Sequence, residues 1–335
     1  MENKKTLLAN ILLLAALSLF VLIPITISIL FGLNGDIKEN SSLIISGGAS
    51  IIALGGITLL YCKITKRSFK NVMVIKKISL KQVILIMLAS VGTYIFAIGI
   101  NAISMQLFPI LIEDSKVISD LLTNSSTLLG LVVVVLIPAF FEEIFFRGIF
   151  LDAYEGMNKK LKYFIITAIF ASFHGNLMQI IYVMFLGLVL LKIREYTGSL
   201  VGSMILHAAN NAISFSISKV AMAFMKLKET GIENGVIDQV QESATADAMN
   251  VGLPAALISA SVLFIIGGTI LFISLRKLKE YKEEKEDLEL VQEDYAEIRE
   301  DYVEIKEERS DVDKKQYIPL AIYFVAITLL VVSSY

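Results

Sequence analysis

Two adjacent carboxylates and an arginine stand in an otherwise apolar run, Phe140-Phe141-Glu142-Glu143-Ile144-Phe145-Phe146-Arg147-Gly148. Ionisable groups in so apolar a stretch are expensive, and they persist where they pair or do chemistry. Glu143 and Arg147 are spaced i, i+4, which puts them on one helix face and within reach of each other. Glu142 is turned about 100° away and is left to face a bundle interior. Such a set divides naturally into one structural carboxylate and one general base. The plainer alternative is that Glu143 and Arg147 form an ion pair that only ties two helices together.

The chain has only 2 histidines, and both fall in apolar segments. His174 closes the run Phe170-Ala171-Ser172-Phe173, just before Gly175-Asn176. His207 opens the stretch His207-Ala208-Ala209-Asn210-Asn211, where His207 and Asn211 share a helix face. An imidazole and a primary amide can donate N–H groups to a developing oxyanion. The structural alternatives are a helix-end histidine at 174 and interhelical hydrogen-bond glue at 207 and 211. Asn210 lies one position off that face and reads as a packing residue.

These residues need an apolar scaffold, and the composition supplies one. Of 335 residues, 56% are hydrophobic and 19% charged, against about 45–50% and about 25% in soluble domains. The apolar residues gather in runs long enough to cross about 30 Å of hydrocarbon. Nine spans are expected, at about 7–31, 43–62, 82–104, 127–151, 161–174, 177–193, 200–220, 254–275 and 317–334. The fifth is too short for a full crossing. The run from Thr6 to Leu33 exceeds a signal-peptide core of about 7–15 residues and reads as a retained first helix. A net charge of −2 gives no reason to expect a nucleic-acid partner, and the single cysteine, Cys62, excludes an intramolecular disulfide or a cysteine metal cluster.

Lys and Arg concentrate in alternate connections. Residues 61–81 carry Lys63, Lys66, Arg67, Lys70, Lys76, Lys77 and Lys81. The connections at 152–162 and 192–199 are also basic, and so is the start of the segment after Leu275. By the positive-inside rule these are cytoplasmic, the N-terminus is inside and the C-terminus outside. At the helical rise per residue, Glu142 lies about 13 Å, His207 about 12 Å and His174 about 18–20 Å from the cytoplasmic ends of their spans. Three distant segments thus place polar groups at similar depth.

The expected organisation is N-terminal helices at 1–62, a basic loop at 63–81, a core at 82–220 and a non-cytoplasmic loop at 221–253. A further span at 254–275, a charged segment at 276–316 and a last span at 317–335 follow. The charged segment repeats EDYAEIR and EDYVEIK, with apolar spacings of three and four from Leu288 to Ile305 that resemble a coiled-coil seam and permit self-association through 288–305. An upright rod from 276 to 309 would be about 50 Å long, more than the about 25 Å that seven residues can retrace. The segment therefore reads, together with the last span, as an appendage to the core.

The patterns Glu142-Glu143-Arg147, Phe170-His174 and His207-Asn211, in this order, resemble the three motifs of the CAAX protease and bacteriocin-processing (Abi) family. Its eukaryotic relatives are the Ras-converting CAAX prenyl endopeptidases. The likeness covers roughly residues 80–220. It implies an all-α polytopic bundle in a prokaryotic plasma membrane and a glutamic intramembrane endopeptidase acting on a peptide or membrane-protein substrate. Glu142 would be the general base, His174 would help hold the water, and His207 and Asn211 would stabilise the oxyanion. Glu143 and Arg147 would order the site. No cofactor is expected, with zinc on Glu142, His174 and His207 as the alternative. A transporter or scaffold, or an immunity protein that acts by binding, would use the same buried charges without catalysis.

Overall fold

The computed structural model describes residues 2–31, 39–111, 125–229, 252–297 and 314–333. Every regular element among them is helical. We number the main helices α1 (Glu2–Leu30), α2 (Asn40–Thr65), α3 (Phe69–Met73), α4 (Leu80–Leu107) and α5 (Thr127–Ala153). There follow α6 (Lys159–Ser172), α7 (Leu177–Thr197), α8 (Leu200–Glu229), α9 (Gly252–Glu297) and α10 (Ile318–Ser333).

Among the described residues, 8 helices are long and apolar enough to cross a membrane, and the chain is an all-α integral membrane protein. The expected nine spans become eight because α6 has only 14 residues, about 21 Å of helix. It forms a hairpin with α7 instead. Lys159 and Tyr163 at the start of α6 both bond Glu195 at the end of α7, at 2.5 and 2.9 Å, so the two helices run antiparallel from one rim. Their outer neighbours show bare apolar faces, including Leu59, Ile84, Ile265 and Leu329. This is the surface that hydrocarbon solvates.

Local sequence sets the ends. Ser79 and Gln82 form a reciprocal capping box at the start of α4, which satisfies two orphan N–H groups at once. Asn158 caps α6 and Asn176 caps α7 through their side-chain oxygens. Within the basic stretch at 63–81, α3 tucks Val72 and Met73 into the core. Ser199 Oγ then accepts from Lys76 N and donates to Lys76 O, at 3.0 and 2.7 Å. That connection is more than a loop.

The longest shared surface is between α4 and α9. A Cβ on Gly267 would lie 2.7 Å from Gly92 O, and one on Gly92 would lie 2.7 Å from Leu271 N. These glycines let two backbones approach without a side chain between them.

The two C-terminal expectations change. The helix that begins at Gly252 continues unbroken to Glu297, so the charged segment starts as an extension of its span, projecting about 32 Å beyond Arg276. Exposed i, i+4 pairs such as Arg276–Glu280 and Lys279–Glu283 line it. The side chains of the 288–305 repeat fall outside the described residues. The last span is no appendage: α10 packs on α1, Asn10 Nδ2 donates to Gln316 O at 2.8 Å, and Tyr323 is fully buried.

Candidate active site

The six predicted residues come from α5, the α6–α7 turn and α8. In α5 the backbone widens to a π-helical turn from Glu143 to Ile149, a geometry that recurs at functional sites. Glu142 stands at the head of that turn and Glu143 is its first residue, and one imidazole reaches toward both carboxylates.

That imidazole is His207. Its Nδ1 lies 2.9 Å from Glu143 Oε1, while Nε2 lies 3.9 Å from Glu142 Oε2. The same Glu143 oxygen accepts from Arg147 Nη1 at 3.0 Å, so the expected i, i+4 ion pair is present. Glu143 and Arg147 are both fully buried. Arg147 Nη2 donates to Gly187 O at 3.3 Å, and its guanidinium lies over the Phe170 ring at 3.9 Å. A Cβ on Gly187 would approach Phe170 Cδ1 to 3.2 Å, so a glycine there leaves room for both ring and guanidinium. Glu142 is partly exposed, and its Oε2 has no hydrogen-bond partner.

Phe170 joins the two histidines. It meets the His174 ring edge-on at 5.1 Å and the His207 ring at 5.9 Å. Its carbonyl lies 2.9 Å from His174 Nδ1. A carbonyl can only accept, so Nδ1 carries the proton and Nε2 is the free nitrogen of His174. The chain leaves α6 here through Gly175 at φ +64°, a left-handed conformation that glycine adopts without a Cβ clash.

Asn211 Nδ2 donates to Val134 O at 3.1 Å. Val134 is four residues before Pro138, which has no N–H to give it. The amide side chain thus ties α8 to the π-helical turn Leu131–Leu136 that precedes Pro138, and its second N–H remains to be used. Neither Pro138 nor this pairing was anticipated from the motifs, although a proline inside a span is the signal that could have found it.

Glu142, His174, His207 and Asn211 line one cavity of 490 Å³. Glu143 and Arg147 stand behind that wall. Asn210, set aside as a packing residue, also lines the cavity. So do Tyr94, Asn101 and Tyr182, which sequence reasoning missed because single polar residues in spans carry no spacing signal. Among the described residues no three His, Cys, Asp or Glu side chains gather as a metal-binding group. His174 and His207 each commit Nδ1 to a protein oxygen, which leaves Nε2 as the ring nitrogen each can offer to chemistry or to a metal.

Residues 124–213 match the family model of the Rce1-like type II CAAX prenyl endopeptidases. All six motif residues fall within that segment, and the resemblance read from them is borne out. No curated protein and no solved structure matches the chain.

Proposed function

We propose that this chain is an intramembrane endopeptidase that hydrolyses a peptide bond in a membrane-associated or C-terminal, CAAX-type substrate. The observation that carries this reading is the convergence of Glu142, His174, His207 and Asn211 on one cavity, inside the segment that matches the endopeptidase family. Its membrane would be a prokaryotic plasma membrane, as the family resemblance implies, with the N-terminus in the cytoplasm and the C-terminus outside, as the distribution of Lys and Arg supports.

The chemistry follows from the free atoms. A water held between Glu142 and His174 Nε2 gives its proton to the Glu142 carboxylate as its oxygen attacks the scissile carbonyl. Negative charge then moves to the carbonyl oxygen. The second N–H of Asn211 and the Nε2–H of a protonated His207 donate to it. Glu143 balances that imidazolium through Nδ1, and Arg147 fixes Glu143 in place. Glu142 returns its proton to the leaving amine, which completes the cleavage with every proton accounted for. No step uses a metal.

The test is turnover of a farnesylated C-terminal peptide by detergent-purified protein, wild type against Glu142→Gln, with metal analysis of both. Loss of about 10³-fold in turnover, in a variant that unfolds at the wild-type temperature, is expected for removal of a general base. Turnover retained by Glu142→Gln would overturn the mechanism. Stoichiometric zinc whose removal stops cleavage would reassign Glu142, His174 and His207 as ligands.

A further inference from the structure

The last four carbonyls of an α-helix have no partner within it, and in α6 their fates can be traced one by one. Phe170 O takes His174 Nδ1. Ala171 O takes His174 N, and Ser172 O takes Gly175 N. Ile169 O takes Phe173 N at 3.0 Å, and it also accepts from Ser172 Oγ at 3.1 Å. A further donor reaches it from the far end of the chain: the Tyr323 hydroxyl in α10, at 3.0 Å. Tyr323 Oη and Ser172 Oγ are themselves 3.0 Å apart, so two hydroxyls and one carbonyl close a triangle at the end of α6.

A second contact supports the same turn. Phe20 of α1 packs on Phe173 with ring centroids 5.2 Å apart, and α1 is in turn tied to the start of the C-terminal helix through Asn10 and Gln316. Two helices outside the matched segment therefore hold the turn that carries His174. A tyrosine hydroxyl inside an apolar span is retained only where it finds partners, and the partners here lie within five residues of His174.

We propose that Tyr323 is a positioning residue for His174. Acting from the last helix, it fixes the final turn of α6 so that Phe170 O stays on His174 Nδ1 and the free Nε2 stays on the cavity side. The catalytic value of that nitrogen rests on the endopeptidase reading given above, but its orientation can be read without substrate.

The chain has only 2 histidines, so nitrogen-15 imidazole spectra of the full-length protein resolve both, with His207→Gln identifying the signals. Tyr323→Phe removes one oxygen and keeps the ring. His174 is expected to move from a single Nδ1-protonated form to a mixture of tautomers while His207 stays unchanged. Turnover of the farnesylated peptide should fall about tenfold in kcat with KM unchanged, the signature of a displaced catalytic group. Leu329→Ala, on the exposed face of the same helix, should change neither. An unchanged His174 signal in Tyr323→Phe overturns the proposal. Should that variant fail to fold, Ser172→Ala removes the other hydroxyl and is read by the same two outcomes. If the wild type cleaves nothing, the endopeptidase reading fails on turnover while the spectra still decide the role of Tyr323.

Discussion

His207 and His174 line the same cavity, but they are held by different parts of the molecule. His207 sits on α8 and takes its orientation from Glu143 and Arg147 in α5, all within the segment that matches the endopeptidase family model. His174 stands just past α6, where a backbone carbonyl sets its tautomer and α1 and α10 brace the turn. The first region is a buried electrostatic lock, in which each charge is compensated by its neighbour. The second is a helix terminus, in which backbone groups find partners from distant sequence. A motif can specify a lock of the first kind, whereas a brace of the second kind depends on how the outer helices pack.

The comparison is broken most forcefully by removing one member of the lock. Arg147→Ala leaves the buried Glu143 carboxylate without its guanidinium partner and should lower stability by about 3–5 kcal/mol, measured as the unfolding midpoint in detergent. No comparable loss is expected when only the Tyr323 hydroxyl is removed. Asn211→Leu should have the next largest effect, about 1–3 kcal/mol, because Val134 O loses its donor.

A smaller change probes the seam between the two regions. Gly187→Ala pushes a methyl toward Thr167 Cγ2 at 3.0 Å and Phe170 Cδ1 at 3.2 Å, and should destabilise by about 1–2 kcal/mol. Because Phe170 touches both histidines, the variant should disturb both imidazole spectra where Tyr323→Phe disturbs one. The smallest effect is expected at the charged extension. Arg276→Ala breaks a solvent-exposed pair with Glu280 and should shift stability by less than about 0.5 kcal/mol.

The same division explains what could be read from the sequence. Glu143–Arg147 and His207–Asn211 were legible because helical periodicity alone puts i and i+4 on one face, and the apolar runs gave the all-α bundle. The π-helical turn at Glu143 was not legible, since it depends on packing around α5 and leaves no spacing signature. Length is more legible than continuity: α6 is short in sequence as in structure, but the change from apolar to charged residues near Arg276 hides the unbroken helix from Gly252 to Glu297. Tyr323 was invisible because nothing in a local window links it to a carbonyl in a helix that ends at Ser172.

The shortness of α6 bears on how the protein meets membranes of different thickness. Lys159 and Glu195 pin both arms of the α6–α7 hairpin to one rim, and the depth of His174 is then a count of 14 helical residues from that rim. Bilayers that thicken or thin are accommodated by tilt and by deformation of the lipid around full-length spans. A helix that stops partway has no second rim to satisfy. The turn can therefore keep its distance from the anchored surface while the opposite leaflet varies, much as a plumb line keeps its length in rooms of different height.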